Sequence, residues 1–155
     1  MYFKDMTQYR YREHKEKALN IGWLSADKPM NTGEVPEAFI KKLWKYLRYP
    51  VQVCRGFHTC ELCSKSNLDI PIVMYKHKKR KVGYYEIRVW GKDGNVYAAP
   101  SLIYHYVTEH GYKPPQEFID AVMESEHPDS KEYYQKVLEY SKGDDFWLAK
   151  DRTRI

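Results

Sequence analysis

No run of about 18 apolar residues, the length that a helix needs to cross a bilayer, occurs anywhere in this chain. The opening residues, Met1-Tyr2-Phe3-Lys4-Asp5, lack the basic-then-apolar layout of a secretory signal, so the expected location is the cytoplasm and no membrane partner is expected. Cysteine is scarce: Cys54, Cys60 and Cys63 make an odd set of 3. Disulfide frameworks of secreted domains normally use even counts, whereas a close thiol pair in a reducing compartment points to metal or redox chemistry. Internal repeats and low-complexity segments are also missing, which leaves an ordinary globular chain.

Aromatic residues, by contrast, are abundant. They make up 15% of the sequence, with 15 Tyr and 4 Trp, and large apolar side chains of this kind offset the entropy of ordering a chain. At 155 residues the expectation is one domain with a hydrophobic core of its own. Charge is uneven. Residues 113–155 carry 7 Lys+Arg against 10 Asp+Glu, so the excess of positive charge lies in residues 1–112. That balance permits an acidic partner such as nucleic acid without requiring one.

Residues 1–20 read as irregular or edge-strand structure, with Tyr2, Phe3, Tyr9 and Tyr11 as their buried positions, and Ile21 to Leu24 reads as a short strand. Turn formers crowd Ser25 to Gly33. Pro36 suits a first helical turn because its missing N–H costs nothing there, and Phe39, Ile40, Leu43, Trp44 and Leu47 recur at helical spacing to about Tyr46. Val51-Gln52-Val53 alternates as a strand, and a loop is expected from Ser64 to Asp69 before an apolar run, Ile70 to Tyr75. Tyr85, Ile87 and Val89 alternate with Tyr84, Glu86, Arg88 and Trp90, and Gly91-Lys92-Asp93-Gly94 turns the chain into Asn95 to Ala99, which predicts a β-hairpin with Glu86 and Arg88 facing solvent. Three helices follow: Leu102 to His110 stopped by Gly111, one opened by Pro114 and Pro115, and one opened by Pro128-Asp129-Ser130 and stopped at Gly143. The predicted class is α+β, a single zinc-binding domain over 1–155, with a helical C-terminal segment 125–143 and a charged tail 144–155 whose Phe146, Trp147 and Leu148 dock on the body.

The chemistry concentrates in Arg55-Gly56-Phe57-His58-Thr59-Cys60-Glu61-Leu62-Cys63. Two thiolates at Cys-x-x-Cys spacing grip one zinc ion from a tight knuckle, and zinc completes a tetrahedral shell with sulfur at about 2.3 Å and nitrogen at about 2.0 to 2.1 Å. A knuckle, a β-hairpin and then a helix is the element order of treble-clef zinc folds, in which the helix returns to the knuckle and supplies the remaining ligands. Two shells are open: His58, Cys60, Cys63 and His105, or Cys60, Cys63, His105 and His110. Residues five apart on a helix are separated by roughly 140°, which favours the first shell and leaves His110 as an alternate or supporting group on the apolar stripe of Ile103, Tyr106 and Val107. Cys54 reads as a small buried thiol. The alternative to a metal is two cysteines that are close by chance, and the redox alternative is weaker because a polar loop follows the pair where a helix should begin.

Lys76, Lys78, Lys79, Arg80 and Lys81, with His77 among them, form a basic block that reads first as a solvated loop and second as a phosphate-binding hairpin tip. Glu61, between the two cysteines, reads as a solvated knuckle residue. It lacks the neighbouring His and the preceding Pro of the zinc deaminase signature, where a Glu acts as base.

The knuckle string, together with Glu86-Ile87-Arg88-Val89, Tyr97-Ala98-Ala99-Pro100, Leu102-Ile103-x-His105-Tyr106-Val107 and His110-Gly111-Tyr112-Lys113-Pro114-Pro115-Gln116-Glu117-Phe118-Ile119, is similar to an uncharacterised bacterial domain family of unknown function. The resemblance spans about residues 20–123. It implies that His58, Cys60, Cys63, His105 and His110 act as a group and implies no substrate. The functional expectation is a small zinc-stabilised interaction protein whose aromatic surface meets a protein partner. The alternatives are a nucleic-acid-binding module using residues 76–81 with neighbouring tyrosines, and a zinc hydrolase or nuclease with Glu61, His110 or Glu109 as base.

Overall fold

A computed structural model describes residues 1–11, 17–63 and 70–141. The expected loop at 64–69, the stop at Gly143 and the docking of Phe146, Trp147 and Leu148 lie outside the described residues. Among the described residues the order is β1 (Leu19–Asn20), α1 (Glu37–Tyr46), β2 (Ile72–Tyr75), β3 (Lys78–Lys81), β4 (Glu86–Trp90), β5 (Val96–Pro100), α2 (Ile103–His110), α3 (Gln116–Glu124) and α4 (Lys131–Ser141). This is an α+β domain.

The central hairpin forms as its alternation predicts, with Ile87 opposite Ala99 and Val89 opposite Tyr97 in an antiparallel ladder. β1 adds in parallel to β5, giving a three-stranded sheet ordered β1-β5-β4. Pro36 is the N-cap of α1, Gly111 caps α2 in the left-handed conformation at φ 65°, and Pro115 is the N-cap of α3, as the Pro and Gly punctuation requires. α1 packs on α2 and α3, and α3 lies against β4. One sheet face, with Ile87, Val89, Tyr97 and Ala99, joins Phe39, Leu43, Ile103, Phe118 and Val122 in the main core.

The other sheet face is covered too, which corrects the expectation that Glu86 and Arg88 meet solvent. Residues 1–11 and 17–24 fold back over it: Phe3 bridges to Trp23, Gln8 bridges to Leu19, and Tyr9, Ala18 and Trp23 form a second cluster with Ala98. Arg88 is 0% exposed and Glu86 3% exposed. The Arg88 guanidinium donates to Glu86 Oε2 at 2.8 Å, the Tyr9 hydroxyl reaches both Glu86 oxygens at 3.0 Å, and the guanidinium stacks 4.7 Å from the centre of the Tyr9 ring. Strict alternation reads as a half-buried strand, and the long-range return of the N-terminal segment that covers the polar face leaves no trace in that period.

Two strand boundaries also differ. The strand expected at Ile21 to Leu24 is Leu19–Asn20, because Gly22 turns at φ 71°. Val51-Gln52-Val53 contributes only a bridge from Val51 to Glu86, since Gln52 adopts φ 49° and leaves the extended region.

Candidate metal centre

The knuckle is held against the sheet by a strap of backbone bonds. Val51 exchanges two bonds with Glu86, Cys54 N–H donates to Tyr84 O, and His58 N–H donates to Gly83 O at 2.7 Å. Gly83 links this strap to the ligand helix, because its own N–H donates to the buried Ser101 hydroxyl at 2.8 Å, two residues before α2 begins. A Cβ at Gly83, where φ is +94°, would stand 2.4 Å from the His58 carbonyl oxygen. Gly83→Ala is therefore expected to cost about 2–4 kcal/mol, backbone strain and overpacking together, measured by denaturant titration.

Four donor atoms converge where the knuckle meets α2. Those of Cys60, Cys63, His105 and His110 all lie within 4.8 Å of one another. His110 Nε2 stands 3.3 Å from Cys60 Sγ, 3.5 Å from Cys63 Sγ and 3.2 Å from His105 Nε2, and Cys63 Sγ stands 3.3 Å from His105 Nε2. A regular tetrahedron with the zinc bond lengths above has edges of about 3.4 Å between two nitrogens and about 3.6 Å between sulfur and nitrogen. The four separations above lie within about 0.3 Å of those edges, close enough for the group to hold one ion. A hydrogen-bond network is a poorer account, since one imidazole nitrogen cannot serve three neighbours at once.

The group that the fold brings together is the second of the two shells open from the sequence, with His110 in place of His58. His58 is exposed and stands outside the group, whereas His110 is in it. The 140° argument treats the direction in which a side chain leaves the helix as its final position. The two imidazoles nonetheless converge: their ring centres lie 5.0 Å apart at an interplanar angle of 73°, with the Nε2 atoms 3.2 Å apart. His110 Nε2 thus lies among the atoms that could hold an ion, beyond the supporting place that the sequence left it. Cys54 also lies outside the group and directs its thiol to the Gln52 carbonyl at 3.6 Å.

Burial pushes the Cys60 thiol up to about 11, and burial together with the neighbouring His110 lowers His105 below the usual histidine range. By themselves these groups stay neutral at pH 7. A divalent cation reverses the balance for the thiol, because a coordinated sulfur gives up its proton outright. Beside the cluster opens a cavity of about 250 Å³, lined by Trp23, Tyr84, Glu86 and Tyr106 and, from the knuckle, by His58 and Glu61. Glu61 is exposed, as expected.

Lys76 and His77 form the turn of the β2–β3 hairpin, and Lys78 to Lys81 are β3 itself. The basic block is half a strand pair rather than a loop, because Ile72 to Tyr75 offers it a ladder. The helix of the metal group, the knuckle and this ribbon thus come from three separate stretches of sequence.

Searches of curated proteins and of solved structures find no match. A family model described as "Domain of unknown function (DUF7919)" matches residues 1–123. The match takes in the N-terminal segment that covers the second sheet face and stops at the end of α3. The chain belongs to this family.

Proposed function

We propose that this protein is a small zinc-stabilised binding module in which the metal has a structural role. The convergence of Cys60, Cys63, His105 and His110 within 4.8 Å carries the reading. A set of two sulfurs and two nitrogens suits zinc better than harder cations that demand oxygen, and its four donors come from two elements about 40 residues apart. Cys60, Cys63, His105 and His110 would hold the ion, and the ion would supply the staple between knuckle and helix. Four protein ligands close the shell, which argues against a hydrolase, since catalysis requires an open position for water or substrate. Elemental analysis of protein purified without added metal is expected to give about one zinc per chain. Zinc-free protein with three freely reactive thiols in the folded state would reject the reading.

The expectation of an aromatic surface for a protein partner draws little support from the fold. Tyr9, Tyr46, Tyr85, Tyr97, Tyr104, Tyr106, Tyr112 and Tyr133 are all buried. These eight tyrosines are core, whereas Tyr2, Tyr11, Tyr49, Tyr75, Tyr84 and Tyr140 are half-buried and Tyr134 is exposed.

A further inference from the structure

The β2–β3 ribbon carries its charge on a prepared face. Its register pairs Ile72 with Lys81 and Met74 with Lys79, so these four residues share one face of the ladder. Ile72 is 56% and Met74 54% exposed, and Lys79 and Lys81 are exposed beside them. The opposite face is cemented to the body. Val73 is buried, Arg80 stacks 4.9 Å over the Trp44 ring, the Tyr75 ring lies 5.8 Å from that of Trp44, and the Tyr104 hydroxyl donates to Met74 O. Among the described residues, Lys76, Lys78, Lys79 and Lys81 form no ion pair with a carboxylate. At the tip Lys76 holds φ 54°, a conformation that glycine adopts without strain and lysine does not. A cation thus stands where backbone geometry favours glycine.

We infer that this ribbon binds double-stranded DNA, with Lys76 at the tip and Lys79 and Lys81 on phosphates and Ile72 and Met74 toward the groove. The inference rests on the reading of the chain as a binding module and names its partner class. Charge complementarity selects a polyanion. A two-stranded β-ribbon fits the major groove of B-form DNA, whereas the deep, narrow major groove of A-form RNA excludes it. Single strands are recognised by stacking on aromatic platforms, and the tyrosines expected for that purpose are committed elsewhere: Tyr75 against Trp44, and Tyr84 against Phe57 and Tyr85. Ile72 and Met74 supply the apolar contact that the thymine methyl accepts.

The test is fluorescence anisotropy of a labelled duplex of about 20 base pairs with the zinc-loaded chain across a salt series. Three phosphate contacts predict a log–log slope of about −2 to −3. The Lys79→Glu/Lys81→Glu variant is expected to lose at least about tenfold in affinity at about 0.1 M salt, and Met74→Ser to weaken binding without changing the slope. Zinc content measured on each variant separates failure of this inference from failure of the metal reading. A slope shallower than about −1, equal affinity in the charge-reversed variant or no loss in Met74→Ser would overturn the inference. Tighter binding to the corresponding single strand, or recruitment to vesicles with about 30 mol% phosphatidylserine without duplex binding, would also overturn it.

Discussion

Cys60→Ser, Cys63→Ser, His105→Ala and His110→Ala are each expected to release the metal and destabilise the fold by about 4 kcal/mol or more. That figure is the linkage expected when available metal exceeds its dissociation constant about a thousandfold. The physical reason is that the donor group joins a knuckle with no regular secondary structure to the last two turns of α2, so the free energy of metal binding becomes free energy of folding. The chain has an independent core around Phe39, Leu43, Ile103 and Phe118, so loss of metal should loosen the knuckle first and the whole domain second. Amide exchange at residues 51–63 should report that order. His58→Ala and Cys54→Ser lie outside the donor group and are expected to keep their zinc and to shift stability by no more than about 0.5 kcal/mol. Zinc retained in His110→Ala but lost in His58→Ala would restore the shell preferred from the sequence.

Arg88→Met should be the most damaging substitution away from the metal. It leaves the Glu86 carboxylate buried without its guanidinium, and breaking a buried pair from one side costs about 3–5 kcal/mol. For a chain of this size that corresponds to a fall in Tm of roughly 10 °C or more. The pair itself is not expected to be a large net stabiliser, because taking both charges out of water offsets most of their attraction. Combining Arg88→Met with Glu86→Leu and Tyr9→Phe, which removes the hydroxyl donor as well, should therefore recover most of the loss. Zinc content should stay unchanged throughout. A cost below about 1 kcal/mol for Arg88→Met would mean that water reaches this site after all.

The pair also shows why some of the structure was legible in advance and some was not. Glu86 and Arg88 occupy the positions of a solvated strand face, and their local pattern is that of surface residues. They are interior because Tyr9, Ala18 and Trp23, about 65 to 80 residues earlier, cover them. A period-two pattern reports which residues share a face and carries nothing about what lies over that face. The tyrosines posed the converse problem. Their number indicated a folded chain, but only packing could assign eight of them, Tyr9 and Tyr97 among them, to the core.

Local chemistry was sufficient for the starts of α1 and α3, the end of α2 and the central hairpin. Pro36 and Pro115 set the starts of α1 and α3, Gly111 set the end of α2, and the Gly91–Gly94 turn set the central hairpin, because each acts through its own backbone torsions or its missing N–H. The Cys-x-x-Cys pair and His105 were likewise readable as donors from residue type and spacing. The choice between His58 and His110 was different. It depends on where the Gly83 and Ser101 bonds bring the knuckle against α2 and on which imidazole can turn toward it, and both are properties of the assembled fold rather than of any window of sequence.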